Sequence, residues 1–126
     1  GSDEFQNLVV LHNGQSKFLY EVVAETVHSK WNYNDNCLLV AGATYPNDLK
    51  KIRSIVGDMP LLIPGIGKQG GNLQETIAAG LDSKGQGIII NSSSGIIYAE
   101  NPGEEAMKLH SEIQKIVVEI MEKRRV

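Results

Sequence analysis

Apolar residues recur at helical spacing in four segments of the chain, and short runs that are apolar throughout lie between these segments. The first helix is predicted over residues 17–31, with Ser16 as its amino-terminal cap. Pro46 suits the first turn of a second helix, which we expect to stop at Gly57. The other two helices are predicted from the cap Asn72 to about Gly80, and over the last stretch of the chain with Met107, Ile113, Ile116, Val117, Ile120 and Met121 facing inward.

The fully apolar runs predict three β-strands, over residues 37–43, 61–63 and 87–91. Strands of this kind, separated by helices long enough to serve as crossovers, are typical of a parallel sheet with both faces covered. We interpret residues 1–16 as a loop and residues 17–126 as a helix followed by three strand–helix units, all in one domain. Because three strands do not close a (β/α)8 barrel of ~250 residues, the pattern leaves two folds open: a small open α/β domain or part of a barrel.

Two segments that could bind an anion follow the second and third predicted strands. Residues 64–72 read Pro-Gly-Ile-Gly-Lys-Gln-Gly-Gly-Asn, and residues 91–96 read Asn-Ser-Ser-Ser-Gly-Ile. Backbone amides at the start of a helix bind phosphate well, and barrel enzymes commonly bind phosphate with the loops after their last two strands. Either segment alone is also typical of an ordinary turn, but the pair indicates a phosphate site.

Charge and composition narrow the possible functions. The net charge is −3 and basic residues cluster only at Lys123–Arg125, which excludes the electrostatic surface that nucleic-acid binding needs. Cys37 is the single cysteine, so the chain has no internal disulfide, and a reducing cytoplasm is the expected compartment. No apolar run approaches the ~20 residues that cross a bilayer, and no Cys and His residues have the spacing of a metal site.

Three ordered segments resemble the longer bacterial orotidine 5′-phosphate decarboxylases. They are Gly-Ala-Thr-Tyr-Pro at residues 42–46, Pro-Gly-Ile-Gly-Lys-Gln-Gly-Gly at residues 64–71, and Ile-Asn-Ser-Ser-Ser-Gly-Ile-Ile-Tyr-Ala at residues 90–99. The resemblance extends from about Phe5 to the last helix. It implies the C-terminal portion of a (β/α)8 barrel, with the sixth, seventh and eighth strand units. It also implies a lyase of pyrimidine biosynthesis that converts orotidine monophosphate to uridine monophosphate without metal or organic cofactor.

The resemblance assigns phosphate and nucleotide binding to Gln69, Gly70, Gly71, Ser93, Ser94 and Gly95. In the family, the glutamine at the position of Gln69 contacts the phosphate and the pyrimidine side of the nucleotide. At the position of Ser94 the family has an arginine. A serine hydroxyl cannot replace the forked, charge-assisted contact of a guanidinium, which is worth ~1.5–3 kcal/mol.

The family's catalytic Lys and Asp network has no counterpart in this sequence. No Asp-x-Lys-x-x-Asp pattern occurs, and the sequence at residues 48–51 is predicted to lie on a helix with its lysines toward solvent. We therefore assign no catalytic residue and expect the chain by itself to be inactive, because positioned catalytic groups supply most of the rate in such a site.

Two other interpretations remain open from the sequence. The chain could be a non-catalytic nucleotide-binding or assembly module that self-associates or pairs with another chain, such as a missing N-terminal half, to complete a barrel. It could also be an independent flavodoxin-like domain that binds a mononucleotide at its strand ends. In each case the expected small ligand is of the uridine or orotidine monophosphate type, and neither nucleic acid nor membrane is an expected partner.

Overall fold

The computed structural model describes residues 3–66 and 72–125. Three parallel strands, four longer helices and an antiparallel hairpin make up most of this part of the chain. In chain order the elements are α1 (Asp3–Gln6), β1 (Val9–His12), β2 (Gln15–Phe18), α2 (Leu19–Thr26) with a π-helical continuation (Val27–Trp31), β3 (Leu39–Val40), α3 (Pro46–Val56), β4 (Leu61–Pro64), α4 (Leu73–Gly80), β5 (Ile88–Asn91), α5 (Ser94–Ile97) and α6 (Pro102–Arg124).

The amino-terminal region is a hairpin, so the prediction of a loop over residues 1–16 was wrong for that part of the chain. Strands β1 and β2 pair antiparallel, and Asn13 and Gly14 at the turn both have positive φ, at 51° and 77°. Asn-Gly is the preferred sequence for such a two-residue turn, because both central residues must adopt the left-handed region.

Ser16 does not cap the first long helix, which corrects a second prediction. Ser16 lies within β2, where the backbone is extended and paired with β1, and the helix begins only at Leu19. The amide of Phe18 donates instead to the Glu21 carboxylate at 2.9 Å. This contact satisfies a backbone donor at the helix start with a side chain one turn along the helix.

The central sheet is parallel, with the strand order β3-β4-β5. The register aligns Leu39 with Leu61 and Leu61 with Ile88, and the next row contains Val40, Leu62 and Ile89. Strand β3 is shorter than predicted, but the amides of Ala41 and Ala43 still donate to the carbonyls of Leu62 and Pro64, each at 2.9 Å. The parallel arrangement that the sequence indicated is therefore confirmed.

Helices pack against one face of this sheet and leave the other face open. Leu61, Ile63 and Ile77 are fully buried between the sheet and the helical layer. On the opposite face, the side chains of Val40 and Ile89 are 65% and 50% exposed. The expectation that both faces are covered was wrong for the described chain, because residues that alternate along a strand point to opposite sides and only one side meets helices.

The inward face of α6 was predicted correctly along most of its length. Ile116 is buried, and Ile113, Val117 and Ile120 pack against the cluster formed by α4 and β5. Met107 is 64% exposed, so its predicted inward position was wrong. The reason is that the helix has 23 residues and its packing against Ile77 and Leu81 begins only beyond its first turns.

Arg53 of α3 joins several elements at the amino-terminal edge of the sheet. Its guanidinium donates to the carbonyls of Gly80 at 2.8 Å, Gly57 and Met59 at 2.6 Å each, and Gly87 at 2.9 Å. One side chain thus satisfies carbonyls at the ends of two helices and ahead of two strands.

No helix in the described part of the chain is long and apolar enough to cross a membrane.

Candidate functional site

The two predicted phosphate loops begin at neighbouring points of one sheet edge. Strands β4 and β5 are parallel neighbours, and their last residues, Pro64 and Asn91, are aligned in the register. The chain segments that follow both strands therefore leave the sheet at the same edge. Gln69, Gly70 and Gly71 lie outside the described residues, so the part of the predicted site that they would form is not placed.

The helix after the first loop begins as the sequence predicted. The Asn72 side chain accepts a hydrogen bond from the amide of Glu75 at 3.1 Å, which caps α4. The first amides of a helix have no partner within it, and the helix dipole places partial positive charge there. The start of α4 thus presents an electrostatically favourable end to an anion near the first loop.

The segment after β5 forms a short helix where the sequence predicted a polar turn. Helix α5 covers Ser94–Ile97, and the carbonyl of Ser93 accepts hydrogen bonds from the amides of Ile96 at 3.1 Å and Ile97 at 2.9 Å. Ser94 and Gly95 consequently supply the first amides of this helix. In barrel enzymes, a short helix of this kind after the last strands is a common phosphate-binding element.

Two serine side chains of this segment, those of Ser92 and Ser93, lie close to neighbouring residues. The hydroxyl of Ser93 lies 3.5 Å from the side-chain oxygen of Asn91, which is long for a hydrogen bond between oxygens. A Cβ atom added at Gly95 would lie 3.0 Å from the hydroxyl oxygen of Ser92, which is a tight contact. Glycine at position 95 therefore allows the backbone of α5 to approach Ser92 closely.

Pro64 and Asn91 are the first residues of the two segments in which the sequence predicted a phosphate site, although neither was assigned as a contact residue. Both end strands at the same edge, and Asn91 lies two residues after the exposed Ile89, on the open face of the sheet. The available signal was the two-residue alternation of a strand, which places Ile89 and Asn91 on one side. The sequence therefore placed Asn91 in a predicted phosphate-binding segment without giving its side chain a role.

Charge at the site is low among the residues that the structure places. None of residues 64–66, 72 and 91–95 is Lys or Arg, and position 94 carries a neutral hydroxyl. A cavity of about 530 Å³ lies nearby along the chain, at the start of α6, but Glu100, Glu104 and Glu105 line it together with Lys108. Three carboxylates would repel a phosphate, so this cavity is not part of the candidate site.

Metal binding has no support from side-chain geometry within residues 3–66 and 72–125. No group of three or more His, Cys, Asp or Glu side chains in those ranges could hold a metal ion.

Comparison with known proteins gives a consistent set of relatives. An orotidine 5′-phosphate decarboxylase of Janthinobacterium sp. (strain Marseille) is 54% identical over 88 residues, which are 70% of this chain and 32% of the relative. The chain is a homologue of the orotidine 5′-phosphate decarboxylases. It spans about a third of the length of the curated relatives that it matches. No family model matches the chain.

Solved structures agree with the relationship to orotidine 5′-phosphate decarboxylases. UMP synthase of Leishmania donovani superimposes with a TM-score of 0.82 at 40% identity, covering 91% of this chain and 25% of the other. The orotidine 5′-monophosphate decarboxylase of Methanocaldococcus jannaschii, solved with the inhibitor BMP, gives a TM-score of 0.60 at 29% identity, covering 74% of this chain and 39% of the other. Of the two folds that the strand count left open, the fold is thus that of part of a (β/α)8 barrel.

Proposed function

We propose that this chain supplies the phosphate-binding loops of an orotidine 5′-phosphate decarboxylase, in pyrimidine biosynthesis. The observation that carries the proposal is the alignment of Pro64 with Asn91, because it starts the two glycine- and serine-rich loops side by side at one sheet edge. The relationship to the decarboxylases supplies the substrate class, since the M. jannaschii enzyme was solved with the inhibitor BMP.

In this proposal both loops bind one nucleotide of the uridine or orotidine monophosphate type. Gln69 would contact the phosphate and the pyrimidine side, and backbone amides of Gly70 and Gly71 would complete the first loop. Ser93, Ser94 and Gly95 would form the second loop, with the first amides of α5 directed at the phosphate. Neither a metal nor an organic cofactor is part of the proposed site.

The proposed contribution of this chain is binding, without the catalytic groups. The decarboxylase resemblance implies a Lys and Asp network, and the sequence contains no Asp-x-Lys-x-x-Asp pattern to provide it. We therefore propose that residues outside this sequence supply the reacting groups, and that the chain alone does not turn over orotidine monophosphate.

The binding proposal is tested by titrating the chain with uridine monophosphate and measuring the affinity by calorimetry or ligand-observed magnetic resonance. Gln69→Ala should weaken binding by about tenfold, because it removes a hydrogen bond to a charged group. Gln114→Ala is the matched control, since Gln114 is exposed in the middle of α6 and should leave affinity unchanged. Equal affinities for Gln69→Ala and the unmodified chain would remove Gln69 from the site.

A second candidate function is that of a non-catalytic assembly module. The observation that favours it is the open face of the sheet, where Val40 and Ile89 lie in one row and each exposes at least half of its side chain. Apolar surface of this kind is typical of a face that another polypeptide covers. This candidate predicts association even where no nucleotide binds, which distinguishes it from the decarboxylase proposal.

A further inference from the structure

The turn between β1 and β2 contains Asn13 followed by Gly14, and no other asparagine of the chain precedes a glycine. Both residues are exposed, and a Cβ atom added at Gly14 would have no atom beyond its chain neighbours within 4 Å. The main-chain nitrogen that follows an asparagine can attack the side-chain amide carbon of that asparagine. Glycine at the following position favours this attack, because it has no side chain to block the approach and adopts a wide range of backbone angles.

The two groups that would react make no hydrogen bond within residues 3–66 and 72–125. This holds for the Asn13 side chain and for the Gly14 amide. Asn34 is also an exposed residue of a turn, but the amide of the following Asp35 donates to the carbonyl of Asn32 at 3.1 Å. A hydrogen-bonded amide must lose its partner before its nitrogen can react. The local structure therefore favours reaction at Asn13 over reaction at Asn34.

The hairpin that holds this turn is easy to open. Strands β1 and β2 form a two-stranded sheet of their own, separate from the sheet of β3, β4 and β5, and no residue of either strand is buried. The side chains of Val9 and Leu11 are 53% and 78% exposed, so burial contributes little to the stability of the hairpin. Two-stranded hairpins of this kind are only marginally stable. Local opening therefore lets Asn13 leave the turn conformation and reach the angles that ring closure requires.

We propose that Asn13 is a site of deamidation, and that its isoaspartyl product disrupts the pairing of β1 with β2. The Gly14 nitrogen loses its proton to a base in the solvent and bonds to Cγ of Asn13, and the side-chain nitrogen takes up a proton and leaves as ammonia. The resulting five-membered succinimide then reacts with one water molecule. Opening at one carbonyl gives aspartate. Opening at the other gives isoaspartate, in which the main chain continues through the former side-chain carbon.

Isoaspartate changes the hairpin because it adds one carbon atom to the main chain of the turn. Only two residues connect the paired His12 and Gln15, and a turn of this length needs both of them at positive φ. The longer main chain moves His12 and Gln15 out of register, and the side-chain pattern of the strands does not fix the register again because neither strand is buried. Aspartate keeps the length of the turn and tolerates the left-handed region. Only the isoaspartyl product should therefore unpair the strands.

The inference is independent of the proposed function, since it requires neither a nucleotide nor a partner chain. Its effect should be confined to the hairpin, because β4 and β5 belong to the other sheet. Hydrogen-bond protection of that sheet is therefore an internal reference for any loss of structure in β1 and β2.

Incubation of the purified chain in mildly alkaline buffer made with heavy-oxygen water tests the site of modification. Peptide mass spectrometry measures the incorporation of heavy oxygen at each asparagine. Asn13 should react at least about tenfold faster than Asn34, because only Asn13 precedes a glycine. The rate should increase with pH, since the deprotonated nitrogen is the nucleophile. Asn101 is an internal control, because the nitrogen of Pro102 carries no proton to lose.

Hydrogen exchange tests the structural consequence. Ion-exchange chromatography isolates the modified chain by its additional negative charge, and isoaspartate methyltransferase identifies the isoaspartyl form. In that form the amides of residues 9–18 should lose protection, whereas those of residues 61–64 and 88–91 should keep it. Asn13→Asp is the matched control, because it adds the same charge without lengthening the main chain. This variant should keep the protection of residues 9–18.

Two results would overturn the inference. Incorporation at Asn13 that is no faster than at Asn34 would exclude the proposed site. Equal protection of residues 9–18 in the isoaspartyl form and in Asn13→Asp would contradict the proposed consequence, because the added main-chain atom would then have no effect on the strand pairing.

Discussion

Ser94 is the first residue of the short helix after β5. We expect it to bind phosphate more weakly than an arginine at the same position would. Its amide is one of the first in α5, and its hydroxyl adds a neutral polar group. In the decarboxylases that the sequence resembles, an arginine occupies this position. A guanidinium would supply full charge and two parallel donors, whereas serine supplies at most one uncharged donor.

Ser94→Arg should therefore strengthen the binding of uridine monophosphate by roughly tenfold or more, in line with a charge-assisted contact of ~1.5–3 kcal/mol. Titration calorimetry at constant ionic strength measures the change, because salt screens the interaction. Ser111→Arg is the control, since it adds the same charge at an exposed position of α6. If both substitutions raise affinity equally, the gain comes from net charge and position 94 is not at the phosphate.

At the scale of elements, Arg53 connects α3 to the ends of its neighbours. Its four hydrogen bonds reach the carbonyls of Gly57, Met59, Gly80 and Gly87. These carbonyls lie at the amino-terminal edge of the sheet, opposite the candidate site. In barrels this edge contributes mainly to stability, so Arg53 is expected to affect folding more than binding.

Arg53→Met should lower the free energy of unfolding by roughly 3 kcal/mol, because it leaves several carbonyls without donors while keeping the aliphatic part of the side chain. Urea denaturation followed by circular dichroism measures the loss. Arg125→Met, at an exposed residue just after α6, should change stability by less than about 0.5 kcal/mol. Similar midpoints for the two variants would contradict the role given to Arg53.

The predicted helix boundaries were correct where a proline, a glycine or a capping side chain marks the end of the helix. Helix α3 begins at Pro46 and ends before Gly57, whose φ is 58°, and α4 begins after its cap Asn72. The hairpin was missed because the apolar residues near Phe18 fit a helical pattern, and the Asn13–Gly14 turn signal was not weighed against it. In this segment the helical pattern and the turn signal favour different structures, and the pairing of β1 with β2 determines that a hairpin forms.

At the scale of the whole molecule, the proposal gives this chain the phosphate-binding loops of a decarboxylase site, and its sequence contains no Asp-x-Lys-x-x-Asp pattern. We expect no decarboxylation of orotidine monophosphate above the uncatalysed rate, because the reacting groups would have to come from elsewhere. A spectrophotometric assay on the purified chain tests this, with the full-length Janthinobacterium sp. decarboxylase as positive control. Turnover above background by the chain alone would show that the catalytic assignment is wrong.

The sequence by itself determined the parallel α/β character, the strand order along the chain, the start of α3 at Pro46, the Asn72 cap of α4 and the motifs that indicate decarboxylase kinship. Periodicity and turn chemistry act between residues that are close in sequence, so a single chain displays them directly. Tertiary structure alone decided that Pro64 and Asn91 are neighbours, that the row containing Val40 is open, and that Met107 faces solvent. These features depend on which surfaces meet, and periodicity shows that residues share a face without showing what that face contacts.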